Sequence, residues 1–149
     1  MKERAEEKNS VTMEFLSRSA NESFARAAVA CFAAQLDPTL EELGDIRTSV
    51  SEAVTNAIVH AYPDTLGKIR VRARMLEGNL LEISVQDWGV GIEDVERARQ
   101  PMFTTGGEER SGMGFTIMES FMDVLRVRSR VGRGTVVTMR RRISVRLGK

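Results

Sequence analysis

Glu52 and Asn56 stand four residues apart, a spacing that on a helix projects a carboxylate and an amide from one face toward a single ligand. Taken alone, such a pair is more often an ordinary solvated helix face. Further along, Asp87-Trp88-Gly89-Val90-Gly91 puts an acidic residue at the head of a chain that glycine keeps free of Cβ obstruction, so a planar base could lie against that backbone. The plain alternative is a glycine turn capped by its own aspartate. Ser111-Gly112-Met113-Gly114-Phe115 leads into a segment of helical periodicity, whose first N–H groups could receive phosphate oxygens. Gly132-Arg133-Gly134-Thr135 sits between two extended segments, where a simple hairpin turn is an equally good reading.

These residues need particular elements to hold them. Thr39-Leu40-Glu41-Glu42 reads as a capping box, and Leu43, Ile46, Val50, Ala53, Val54, Ala57 and Ile58 recur behind it at helical spacing, which places Glu52 and Asn56 opposite an apolar stripe. An earlier box, Ser19-Ala20-Asn21-Glu22, predicts a helix running to Asp37-Pro38. Val11, Met13 and Phe15 alternate with polar residues as a short strand, and Ile69, Val71, Ala73 and Met75 alternate with Lys68, Arg70, Arg72 and Arg74 as another. Glu77-Gly78-Asn79 turns that strand into Leu80 to Val85. A short helix is expected from Glu93 to Arg99, a mobile glycine-rich stretch from Thr104 to Gly112, and a helix carrying Phe115, Met118, Phe121, Met122 and Leu125. Val127 to Arg130 and Thr135 to Arg140 form a closing hairpin. The expected organisation is a tail at residues 1–10, one α+β domain at 11–143 with helices on one face of a mostly antiparallel sheet, and a C-terminal tail at 144–149.

Composition narrows the class. With 42% hydrophobic and 29% charged residues the chain has material for a folded core. Its apolar runs fall far short of the ~20 residues of a membrane span, and Met1-Lys2-Glu3-Arg4 leads into charge, so a cytoplasmic protein is expected. The single cysteine, Cys31, suits a reducing compartment and is expected to be an inert core thiol. A net charge of +1 gives no general pull toward nucleic acid. The basic face of Lys68, Arg70, Arg72 and Arg74 lacks interleaved aromatic residues, so a solvated sheet face is preferred to nucleic-acid binding.

In order, E-x-x-x-N, D-x-G-x-G, G-x-G before a helix and G-x-G-T in a hairpin resemble the boxes of the Bergerat ATP-binding fold, shared by gyrase, MutL, histidine kinases and a set of small serine kinases. That resemblance implies ATP with Mg²⁺, a lid, and a two-layer α/β sandwich. It makes Asn56 the Mg²⁺ ligand, Asp87 the acceptor for the adenine amino group and Glu52 the general base. Gly89 and Gly91 follow Asp87 along the base, Gly112, Met113 and Gly114 approach the phosphates with Ser111, and Thr135 supports the adenine end. Thr104 and Thr105 belong to the lid.

A narrower resemblance covers most of the chain outside the tail and the Arg-rich strands. Asn21 to Arg26, Ala34 to Thr39, Val50 to Ile58, Ala98 to Pro101, Phe103 to Thr105 and Glu109 to Glu119 are similar to the anti-sigma factors of the sporulation sigma-F system. This implies a homodimer that sequesters a sigma-F factor with ATP bound and phosphorylates a serine of an anti-anti-sigma factor. On the first helix it favours Glu22 and Arg26 as partner-binding residues. Thr105-Gly106-Gly107-Glu108 departs from the Lys-Pro pair of the family's lid, which leaves Arg110 as the cation for the γ-phosphate; Ala61 replaces a common glycine. Histidine autokinases need a separate phosphoacceptor module, and the only histidine, His60, lies inside the Asn56 helix. The remaining alternative is an ATP-dependent partner-binding regulator without phosphoryl transfer, against which Glu52 argues.

Overall fold

The computed structural model describes residues 6–100 and 113–145. Its elements run β1 (Glu7–Leu16), α1 (Ala20–Ala33), α2 (Leu40–Asn56), β2 (Lys68–Leu76), β3 (Leu80–Asp87), α3 (Val95–Ala98), α4 (Gly114–Phe121), β4 (Val124–Arg130) and β5 (Gly134–Arg142). The strands form one sheet in the order β1-β2-β3-β5-β4, and every pairing is antiparallel. Alternation decides which face is covered. Ile69, Val71 and Ala73 of β2, Leu81 and Ile83 of β3 and Met139 of β5 are fully buried, and they meet Val29 of α1, Ile46, Val50 and Val54 of α2 and Met118 of α4. The fold is therefore the expected two-layer α+β sandwich, with the helices on one face.

Several boundaries differ from expectation for identifiable reasons. β1 starts at Glu7 rather than Val11, so residues 7–10 are sheet and not tail: Ser10 pairs with Arg74, and the Glu7 carboxylate lies 3.2 Å from Arg72 Nη2 and 3.3 Å from Arg74 Nη1. Ser19 makes no side-chain cap; the Asn21 amide instead donates to the Leu16 carbonyl at 2.9 Å. α1 ends at Ala33 and continues as a 3-10 turn to Leu36, closed by Asp37 at φ 55°. Cys31 is exposed, because the buried stripe of α1 is Ala25, Val29, Phe32 and Ala33; the core-thiol expectation is corrected. α4 stops at Phe121, and Leu125 belongs to β4. At the other end, Ser144 is tied down: its N–H and hydroxyl donate to Glu42 at 2.9 and 3.1 Å. The same Glu42 completes the capping box with Thr39.

On the open face each β2 arginine has an acidic neighbour. Arg70 meets Glu14 at 2.6 Å, while Arg74 and Arg140 share Glu82 at 2.7 and 2.8 Å. Burial pushes the Glu82 carboxyl up, but the bonds from Arg74 and Arg140 outweigh it and hold the group below its ordinary range. A lowered folded-state pKa contributes stability that is complete above the unfolded value of ~4.3 and is lost as pH falls through the folded value. Glu82→Gln should cost about 1–3 kcal/mol at neutral pH and flatten the acid limb of a urea-denaturation stability profile.

Candidate functional site

α2 delivers Asn56 at its last turn, after which the chain widens into a π turn over Ala57–Ala61. Such turns carry one extra residue per turn and shift the carbonyls that follow. Here the Ala61 carbonyl accepts from Val90 N–H at 3.0 Å, which docks the loop after β3 against the end of α2. The Val90 carbonyl in turn accepts from Gly132 N–H at 2.8 Å, so the β4–β5 hairpin closes on the loop from the other side.

Asp87, at the end of β3, is only 7% exposed. Its Oδ1 accepts from Gly89 N–H at 3.0 Å and Thr135 N–H at 3.2 Å. Burial raises its pKa against the opposing pull of those two N–H groups. Glycine is required where backbones touch. A Cβ on Gly89 would lie 2.1 Å from the Ala61 carbonyl oxygen, on Gly91 2.2 Å from that of Arg130, and on Gly134 2.2 Å from that of Asp87.

Between these walls lies a cleft of about 640 Å³. Asn56, Asp87, Gly91, Gly114 and Thr135 line it with an apolar floor of Val85, Ile92, Phe115 and Val137. Gly89 supports the wall from behind. A Cβ on Gly114 would sit 3.0 Å from Asn56 Nδ2 and 3.3 Å from Glu52 Oε1, so both side chains reach the first residue of α4. They stand on the flank of α2 that faces α4, not opposite its buried stripe as the helical wheel suggested. Met113, half-buried, immediately precedes α4. Thr104, Thr105, Arg110, Ser111 and Gly112 lie outside the described residues. Glu22 and Arg26 lie away from the cleft on α1, 3.6 Å apart.

Among the described residues no three His, Cys, Asp or Glu side chains form a metal centre. Asn56 carries an amide oxygen, the donor type that a hard cation takes alongside phosphate oxygens. The missing Cβ of Gly114 leaves the amide room. The sequence reading missed Ser129, whose hydroxyl accepts from Ile92 N–H at 2.7 Å, donates to the Gly134 carbonyl at 3.1 Å and lies 2.8 Å from Thr135 Oγ1. A polar residue in register with inward-facing Leu125 and Val127 was the available signal. Tyr62 was also missed, and Arg97 lines the cleft mouth from α3.

This fold and cleft belong to a known family: residues 15–141 match the one described as Histidine kinase-like ATPase domain. The fold is similar to that of the RsbU and RsbW domains of a Mycobacterium tuberculosis protein, with TM-score 0.66 and 20% identity over 91% of this chain and 32% of that one. At higher identity, the chain resembles the anti-sigma F factor of Caldanaerobacter subterraneus subsp. tengcongensis, at 60% over 132 residues, 88% of this chain and 92% of the relative. The anti-sigma F factor of Geobacillus kaustophilus is 53% identical over 138 residues, 92% of this chain and 94% of that protein. The chain belongs to the histidine kinase-like ATPase family and, within it, to the anti-sigma F factors.

The contact between Gly134 and Asp87 can be tested directly. At φ 118° and with the Asp87 carbonyl in its way, Gly134→Ala should cost about 1–3 kcal/mol in thermal or urea unfolding, whereas Gly44→Ala, with open space around it, should not destabilise.

Proposed function

We propose that this chain binds ATP with Mg²⁺ in the cleft, holds a sigma-F-type sigma factor in an inhibited complex, and phosphorylates a serine of an anti-anti-sigma factor. The observation that carries the reading is the convergence of Asn56 and Glu52 on the glycine that opens α4, in a member of the anti-sigma F factors. Bound Mg²⁺-ATP supplies the phosphoryl group, with the cation neutralising charge on the phosphates. Asn56 holds the cation through its amide oxygen. Asp87 accepts the adenine amino group with Oδ2, since Oδ1 is already engaged by two N–H groups. Gly89, Gly91 and Thr135 shape the adenine end. The positive end of α4, with Met113 and Gly114, faces the phosphates.

Glu52 takes the proton from the incoming serine hydroxyl as its oxygen attacks the γ-phosphorus and ADP leaves. Arg110 meets the charge that develops on the transferring group, and Thr104, Thr105, Ser111 and Gly112 complete the lid and phosphate contacts; these five assignments rest on the family resemblance. The proposal includes a homodimer acting in the cytoplasm; among the described residues no helix is long and apolar enough to cross a membrane.

General-base assistance typically contributes ~10²–10⁴ in rate, whereas binding of ATP and the sigma factor rests on other groups. Glu52→Gln should therefore lower serine phosphorylation by about that factor while sigma-factor inhibition persists, read as labelled phosphate transfer and sigma binding on the same preparation. Normal transfer by this variant would remove Glu52 as the base, whereas absence of transfer by the wild type, with sigma inhibition intact, would favour a regulator that binds without transferring.

On α1, Arg26 is held by Glu22 at 3.6 Å, and Phe24 between them is 57% exposed, which together present a cation and an aromatic ring outward. A half-buried i,i+4 pair of this kind is worth only a few tenths of a kcal/mol to the helix. Arg26→Ala should leave melting and ATP binding unchanged and weaken capture of the sigma factor or the anti-anti-sigma factor in a pull-down. Unchanged capture of both would remove α1 from the partner surface.

A further inference from the structure

The adenine side of the cleft hangs on one hydroxyl. Tyr62 follows the π turn, and its Oη accepts from Trp88 N–H at 2.8 Å while donating to the Lys68 carbonyl at 2.7 Å. Burial, helped by the charge of Asp87, outweighs the Trp88 N–H and raises the phenol pKa, so the group stays protonated and keeps its donor role. The ring is seated on Gly67, where an added Cβ would lie 2.1 Å from the tyrosine Cε1. Gly67 is itself fixed, its N–H donating to Ser17 Oγ at 3.0 Å and its carbonyl accepting from Ser17 N–H at 2.8 Å. Tyr62 is thus a rigid post standing on the β1–α1 junction.

The post touches the peptide that joins Asp87 to Trp88. Gly89 N–H and Thr135 N–H hold Asp87 by its carboxylate, and Val90 N–H is held by the Ala61 carbonyl. None of these three bonds reaches the Trp88 N–H, the first peptide beyond the position where Asp87 is still paired with Ile69 and Thr135, and from that peptide departs the loop that brings the Gly89 N–H to the carboxylate. The Trp88 ring gives no purchase on the cleft side: it lies under Lys68 Nζ at 4.6 Å and Arg70 Cζ at 5.1 Å on the open face of the sheet.

We infer that Tyr62 is a positioning residue for base selection, fixing through the Trp88 N–H the direction in which Asp87 offers its unengaged oxygen to an adenine amino group. The inference rests on the reading of Asp87 as the adenine acceptor. Only the base, not the phosphates, should feel the loss of the hydroxyl. A site that selects by one buried hydrogen bond is sensitive to small displacement of its acceptor.

The test compares the wild type with Tyr62→Phe by calorimetry, using ATP, GTP and inorganic tripolyphosphate, each with Mg²⁺, and follows the Trp88 amide by hydrogen exchange. Tyr62→Phe should weaken ATP by about tenfold, leave tripolyphosphate within about twofold, narrow the preference for ATP over GTP and speed exchange at Trp88. Gly67→Ala, which unseats the ring without removing the hydroxyl, should act in the same direction and supplies the test if Tyr62→Phe does not fold. Equal weakening of ATP and tripolyphosphate would reduce Tyr62 to a general structural role and overturn the inference. Full retention of base preference in the variant would sink it alone. A wild type indifferent to the base would instead overturn the adenine role of Asp87, and the inference with it.

Discussion

A carboxylate buried at the end of a central strand must be given partners, and meeting that demand at Asp87 organises the whole cleft. One N–H comes from its own loop at Gly89, and the second from Thr135 on the neighbouring strand β5. For Thr135 to arrive, the hairpin must pass so close that residue 134 has no space for a side chain, and φ 118° there adds a second reason for glycine. Closing the loop onto the hairpin brings Gly91 against Arg130, and closing it onto the π turn brings Gly89 against Ala61. The glycines that look like a ligand motif are thus equally the consequence of packing three backbones around one carboxylate. Both internal bonds fall on Oδ1, so the fold is satisfied through one oxygen of the carboxylate.

The opposite wall of the cleft depends on where α2 stops. Thr39 and Glu42 fix its first turn, and Glu42 binds Ser144 as well, so the helix is anchored to the end of β5. Arg141 on that strand donates to Asp45 of α2 at 2.8 Å and to the Phe121 carbonyl at the end of α4, holding the two helices that face each other across Glu52 and Asn56. A helix pinned at its start and released into a π turn at its end places Asn56 at the last regular position, with Ala61 turned to meet Val90. The position of Asn56 and the docking of the Val90 loop are therefore both set by where this one helix ends.

Much of this was legible in the sequence. Alternation in β2 separated the buried Ile69, Val71 and Ala73 from the arginines, because a period of two has only one consistent burial. The Thr39 box was legible because both partners are local; the Ser19 box failed because Ser19 is itself in the helical conformation and its own carbonyl takes the Glu22 N–H at 3.2 Å, while the Glu22 carboxylate turns to Arg26. Cys31 was misjudged since, in a helix rich in alanine on all sides, hydrophobicity does not say which side is buried. Glu52, Asn56, Asp87 and Gly114 could be nominated from type and spacing. For Ser129 the alternation of β4 offered only an inward polar position and for Tyr62 nothing, because their roles are bonds to backbone groups 37 and 26 residues away.

The arginine-rich strands illustrate how pairing rather than composition decides what a charged face can do. On β2 the guanidiniums of Arg70, Arg72 and Arg74 each meet Glu14, Glu7 or Glu82, and Lys68 and Arg70 also cover the Trp88 ring. Exposed pairs of this sort contribute little individually, about 0–1 kcal/mol. Their larger effect is on register: a one-residue slip of β1 would turn Glu7 and Glu14 toward the core and leave Arg70 and Arg72 without acidic partners, Arg74 keeping only Glu82. On β4, at the edge of the sheet, Arg126, Arg128 and Arg130 are exposed and make no ion pair among the described residues. A second strand carrying the same sequence would bring like charges together there, so these arginines discourage edge-to-edge association. One half of the open face is thus neutralised to fix pairing within the sheet, and the other is left charged to prevent pairing beyond it.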